Sequence, residues 1–249
     1  MIISEYKIQR AVDKDSIAAI NNAATNALSS NDMLSGAVNK NTMTKNISSE
    51  SAQQGTPQSV AEMIVPQLHK QIKKGQKVPL TLPISKKLDI CIGWNVNNSD
   101  CDIDVSAFLL GSTDKVIGDD WFVFYGQTDS PDGSLHFSAQ SQLDREEITA
   151  DLSKINASVK KIVFVLTIYD AVKKSVNFSM LKDAYIRILD CSTKQEIVSF
   201  RMDEYYSNVL SMMIGELYIH NGVWKFNAIG NGIAKELDGL CELYGVNIN

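Results

Sequence analysis

The chain has 249 residues, 44% of them hydrophobic, and a net charge of −5. That length allows one large or two smaller domains with a core of useful size, and the acidic balance excludes nucleic-acid binding driven by counterion release. No charged start followed by an apolar stretch opens the sequence and no apolar run approaches bilayer length, so the expectation is a cytoplasmic protein without a membrane span.

Residues 1–59 differ from the rest. Asn21–Ser49 is rich in Asn, Ser, Ala and Thr, with few large apolar side chains. Such a segment cannot bury enough surface to offset its ordering entropy. Ile2, Ile3, Tyr6 and Ile8 alternate loosely, as in a short strand that could pair with an exposed sheet edge. The reading is an N-terminal arm, low in complexity or ordered only by a partner. The expected partners are therefore proteins, or other copies of the chain, reached through this arm. Residues 60–75 read as a short helical linker. Ser59 stands three residues before Glu62, a capping-box spacing, and Val60, Met63, Ile64, Leu68 and Ile72 follow helical periodicity, with Pro66 as an early kink or stop. Lys70, Lys73, Lys74 and Lys77 form one basic cluster, a solvated linker in the bland reading and an anionic docking patch in the other.

From residue 76 to 249 the pattern is that of one β-rich domain. Leu88, Ile90, Ile92 and Trp94 alternate with Asp89, Cys91 and Gly93, the mark of a half-buried strand. Further strands are predicted over 77–82, 104–110, 121–125, 134–138, 146–151, 161–168, 184–190 and 196–202. Asn221-Gly222 signals a two-residue hairpin, which sets Ile219 opposite Trp224 and Leu217 opposite Phe226. Gly230-Asn231-Gly232 reads as a strand-to-helix turn before an amphipathic helix over 232–244. Many short strands separated by Gly, Asp and Asn turns define the fold class as mainly β, a two-sheet β-sandwich with a C-terminal helix.

Enzyme chemistry finds no constellation. His69, His136 and His220 have no Ser or Cys elbow beside them, and no glycine-rich loop carries the Lys-Ser/Thr of a phosphate site. Asp119/Asp120 and Glu146/Glu147 are adjacent, so in a strand each pair is split between opposite faces. The four cysteines lack C-x-x-C spacing, which argues against zinc, and Cys91 reads as a small hydrophobe in a strand.

The sharpest local signal is Asp100, Asp102 and Asp104, which in extended chain share one face. Carboxylates in that number need a cation or solvent, and hard oxygen donors suit calcium. An EF-hand loop counted from Asp100 fails, with Val105 at its sixth position and Gly111 at its twelfth. The competing reading has Asp102 and Asp104 capping turns through backbone amides.

The same region resembles a known family. Ile92-Gly93-Trp94-Asn95, Asp102-Ile103-Asp104-Val105-Ser106-Ala107-Phe108-Leu109-Leu110, Phe122-Val123-Phe124-Tyr125, Ser130-Pro131-Asp132-Gly133-Ser134, Lys161–Val165 and Thr167–Ala171 are similar to motifs of the TerD family of tellurium-resistance and stress-response proteins, as is Gly215–Phe226. The resemblance covers roughly residues 70–249 and implies a calcium-binding β-sandwich with carboxylates gathered at one end. Asp100, Asp102 and Asp104 match the centre of the family's pattern. Asn95 stands where an Asp is usual, Trp121 where an Asp precedes Phe-Val-Phe-Tyr, and Gly126 where Asn follows it, while the acid-rich loop is shortened to Ser138–Glu147. The expected metal ligands are thus Asp102 and Asp104, with Asp100, Asn95 and an acid among Asp144, Glu146 and Glu147. Calcium is expected to bind weakly or not at all. Two functions follow: a non-catalytic stress-response binding module of the tellurium-resistance type, or an assembly subunit that uses the sandwich as a rigid body and the arm for contacts.

Overall fold

The computed structural model describes residues 62–139 and 143–248. The N-terminal arm expected over residues 1–59 lies outside the described residues. Among the described residues twelve strands run in chain order, β1 (Gln71–Ile72), β2 (Lys77–Pro79), β3 (Lys87–Val96), β4 (Ile103–Leu110), β5 (Phe122–Val123), β6 (Leu135–Ser138), β7 (Glu146–Asp151), β8 (Lys161–Ile168), β9 (Leu181–Asp190), β10 (Glu196–Arg201), β11 (Ser211–His220) and β12 (Val223–Ile233). A one-turn helix, α1 (Ala171–Lys174), follows β8, and α2 (Leu237–Tyr244) follows β12. The strands form two six-stranded sheets, ordered β1-β10-β9-β3-β7-β6 and β2-β12-β11-β8-β4-β5. Every pairing is antiparallel except β1 with β10.

The main core lies between the sheets. Leu88, Ile90 and Ile92 of β3 face Val105, Ala107 and Leu109 of β4 across it, joined by Phe164, Leu166, Leu217 and Phe226. A second, smaller core lies outside the second sheet. There Phe108, Leu110, Phe122, Val163 and Val165 are covered by Leu240 and Cys241 of α2. Phe108 stacks on Phe122 with centroids 4.4 Å apart and meets Tyr244 at 4.6 Å, contacts worth about 1 kcal/mol each beyond their burial. The two cores explain why β4 after Asp104 is apolar except for the buried Ser106. One of its faces packs on the first sheet and the other on α2, so both are covered.

The hairpin forms in the expected register, with Ile219 opposite Trp224 and Leu217 opposite Phe226. Asn221 and Gly222 both adopt positive φ, 52° and 75°, as a type I′ turn requires. Two expectations are corrected. Gly230-Asn231-Gly232 belongs to β12, which runs on to Ile233. The register shifts between Met213 and Gly215, and Gly230 at φ 61° supplies the bulge, so α2 starts only at Leu237. The helical linker also fails where it is described: residues 62–70 are not helical, and Gln71–Ile72 form a strand. Pro66 interrupts the helical pattern, and long-range partners hold the chain extended instead. Met63 is bonded through both its N–H and C=O to Asn95, while the His69 and Lys70 amides donate to the Glu196 carboxylate.

Candidate functional site

The starts of β4 and β7 and the end of β8 meet at one end of the sandwich. β4 pairs with β8 along its length, but with β5 only at Ala107 and Phe108, so its first residues have no strand on the other side. A side chain from the opposite sheet fills that gap. Glu146 accepts the Val105 N–H at 2.8 Å. Glu146 has the parity of Ile148 and Ala150, both in the inter-sheet core, and so faces inward. Glu147 faces outward, with the Cys91 thiol donating to its carboxylate at 3.6 Å.

Asp104 is the second residue of β4, and Asp102 lies just before the strand, where its carbonyl accepts the Tyr169 N–H at 2.9 Å. Burial and the neighbouring Asp102 push the Asp104 carboxyl up to about 7, against an opposing effect from Lys174. Burial also pushes Glu146 well above the usual carboxylate range; Asp104 and Asp102 add to this, and the Val105 N–H opposes it. The Tyr125 phenol is raised by burial and then by the charges of Asp104, Asp102 and Glu146. Its hydroxyl is buried without a hydrogen-bond partner among the described residues, as is the Ser106 hydroxyl two residues along from Asp104. A buried hydroxyl left so costs about 1–3 kcal/mol. The corner therefore holds three carboxylates and two idle hydroxyls, and it is short of positive charge.

These are hard oxygen donors, and in kind they fit calcium. In spacing they are loose. Among the described residues no three His, Cys, Asp or Glu side chains are close enough to hold an ion together. An ion would have to draw the carboxylates in, which weakens its binding.

The other expected ligands are placed elsewhere. Asp100 lies in an exposed turn, its N–H donating to Asn98 Oδ1 at 2.9 Å. The buried Asn95 amide is engaged by the Met63 backbone and by Asp183. Asp144 is held by Arg187 through both oxygens, at 2.9 and 2.7 Å, and by the Tyr185 hydroxyl at 2.7 Å. Of the three acids after the shortened loop, only Glu146 reaches the corner. The signal that singles it out in sequence is its parity with Ile148 and Ala150.

The histidines have structural settings. His136 pairs with Asp129 at 2.8 Å on an exposed surface, and His220 is exposed at the hairpin. No described helix is long and apolar enough to cross a membrane.

Two antiparallel-rich sheets packed face to face, with a C-terminal helix on the outer face of the second, define a β-sandwich domain. The model of the TerD domain matches residues 68–244. The chain belongs to the TerD family. It is 37% identical to the uncharacterized protein YceE of Bacillus subtilis (strain 168) over 189 residues, covering 72% of this chain and 98% of that protein. It is 36% identical to the tellurium resistance protein TerD of Serratia marcescens, covering 71% and 97%. General stress protein 16U of Bacillus subtilis (strain 168) is also 36% identical, covering 71% and 97%. The latter two are named for tellurium resistance and general stress.

Proposed function

We propose that this protein is a non-catalytic stress-response module of the tellurium-resistance type, which binds calcium weakly at the acidic corner and acts in the cytoplasm through protein partners. The observation that supports the reading is that Asp102, Asp104 and Glu146 feel one another's charge at one half-buried end of the sandwich, where the Tyr125 and Ser106 hydroxyls have no hydrogen-bond partner among the described residues. The names of the relatives support the stress role, and four unpaired cysteines suit a reducing compartment. Asp102, Asp104 and Glu146 would hold the ion, with the Tyr125 and Ser106 hydroxyls nearby. A bound calcium would supply the positive charge that the corner lacks. Glu146 would still fasten the β4 edge to the other sheet, so that the ion's seat and the sheet edge share one carboxylate.

Calorimetric titration of calcium into chelator-treated protein tests the site. The expected Kd is ~10⁻⁴ M or weaker, abolished by Asp102→Ala with Asp104→Ala. Sub-micromolar binding that survives this double substitution would place the ligands elsewhere. Growth of a tellurite-sensitive strain expressing the wild-type chain tests the stress role; no gain in tolerance over an empty vector would count against it.

The assembly reading keeps one observation in its favour. Residues 62–70 are fastened to the sandwich through Asn95, Lys182 and Glu196, so the chain before them enters from a fixed point.

A further inference from the structure

The outer face of the first sheet carries a cleft of about 520 Å³. Its floor comes from β9, where Ile186 and Ile188 point into the main core, so that Arg187 and Leu189 point out. Its walls are the segment 66–70 and the turn between β9 and β10, which brings Lys194. Hydrogen-bond donors dominate this cleft. Asp144 takes the Arg187 Nε–H and one Nη2–H, at 2.9 and 2.7 Å, and the other three N–H groups have no partner among the described residues. The Arg187 side chain is nonetheless only 11% exposed. Lys194 gives one N–H to the buried Asp89 at 2.6 Å and keeps two. The Lys70 ammonium forms no ion pair among the described residues, whereas Lys74 of the same basic cluster is paired with Glu204. The acid in the lining, Glu196, is already engaged, accepting the His69 and Lys70 N–H groups and the Ser199 hydroxyl at 3.1, 2.6 and 2.7 Å.

We propose that this cleft binds a small phosphate monoester, with Arg187 at its floor and Lys70 and Lys194 as flanking donors. The proposal does not depend on the calcium reading. A guanidinium fastened by Asp144 through its Nε–Nη2 edge is held in orientation and keeps its Nη1–Nη2 edge for a second oxyanion. Three donor groups, one from the floor and one from each wall, suit the three terminal oxygens of a phosphate ester better than the two of a planar carboxylate. The cleft is larger than a phosphate group and falls in the ~300–1,000 Å³ range of small-molecule sites, and Leu189 and Pro66 offer apolar surface to an organic substituent. Asp144 and Asp89 balance two of the three cations, so selectivity comes from where the donors stand and the expected Kd is modest, on the order of 1 mM. The basic cluster of the sequence is thereby divided: Lys70 faces the ligand, while Lys74 serves an ion pair.

The experiment titrates the full-length protein with phenyl phosphate by calorimetry at fixed ionic strength, with inorganic phosphate and benzoate as comparison probes, and reads the thermal midpoint with each. Phenyl phosphate should bind and raise the midpoint, inorganic phosphate should do so more weakly, and benzoate should be the weakest of the three. Lys70→Gln should weaken phenyl phosphate about tenfold. Lys77→Gln removes a lysine of the same cluster outside the cleft and should leave binding unchanged. Arg187→Lys keeps a cation for Asp144 but removes the fork, and should weaken binding at least as much as Lys70→Gln. Neither heat nor a midpoint rise with phenyl phosphate in wild type overturns the proposal. Equal weakening by Lys70→Gln and Lys77→Gln overturns it too, since that is general attraction to basic residues. Benzoate bound as tightly as phenyl phosphate overturns the assignment to phosphate. If Arg187→Lys fails to fold, Lys70→Gln and Lys77→Gln decide alone, because the Lys70 side chain holds no ion pair of the described fold.

Discussion

Gly93→Ala would test whether the outer face of the first sheet is locked by one tyrosine. Gly93 of β3 lies opposite Tyr185 of β9, and a Cβ there would stand 2.4 Å from the Tyr185 hydroxyl oxygen and 2.5 Å from ring carbon Cζ. The backbone of Gly93 needs no left-handed conformation, so the cost is contact alone. The ring cannot swing away freely, because Tyr185 is fully buried and its hydroxyl donates to the buried Asp144 at 2.7 Å. Overpacking costs about 1–3 kcal/mol, and the lost hydrogen bond to a charged acceptor about 1.5–3 kcal/mol. The expected loss is about 3–5 kcal/mol, a large part of the ~5–15 kcal/mol that a domain has in all. Urea unfolding followed by tryptophan fluorescence measures it. In a Tyr185→Leu background the same substitution should cost less than ~1 kcal/mol, giving a coupling of about 2 kcal/mol or more. Additive costs in the two backgrounds would refute the contact argument, and a loss under ~0.5 kcal/mol in wild type would show that the strand accommodates the methyl by shifting.

The acidic corner predicts an inverted pH response. Asp104 is raised from 3.8 to about 7, so across that window the native chain binds more protons than the unfolded one and stability falls as pH rises. Asp104→Asn should add on the order of 2 kcal/mol at pH 8 without metal, discounted for solvent access, and nothing at pH 3; thermal midpoints equal to wild type at both pH values would contradict this. Arg187→Met removes the two-point ion pair to Asp144, whose side chain is only 2% exposed, and should cost about 3 kcal/mol in urea unfolding. Adding Asp144→Asn should recover part of that loss. Removal of residues 1–59 should leave the sandwich folded and lower its mass in light scattering, whereas identical oligomeric states in both forms would dispose of the arm as an assembly element.

What could be read in the sequence was local, and what could not was the pairing of distant elements. Period-two alternation and the Asn221-Gly222 turn are properties of consecutive residues, and the strands and hairpin register followed from them. The linker misled because helical spacing over 60–72 competes with partners more than a hundred residues away: the Glu196 carboxylate takes the His69 and Lys70 amides, and β10 accepts a parallel strand. The acidic site divides the same way. Asp102 and Asp104 are neighbours in chain and in space, so the motif located them. Glu146 joins them only because two sheets stack with β7 facing the open edge of β4, and Asn95 leaves because its strand turns its amide toward Met63.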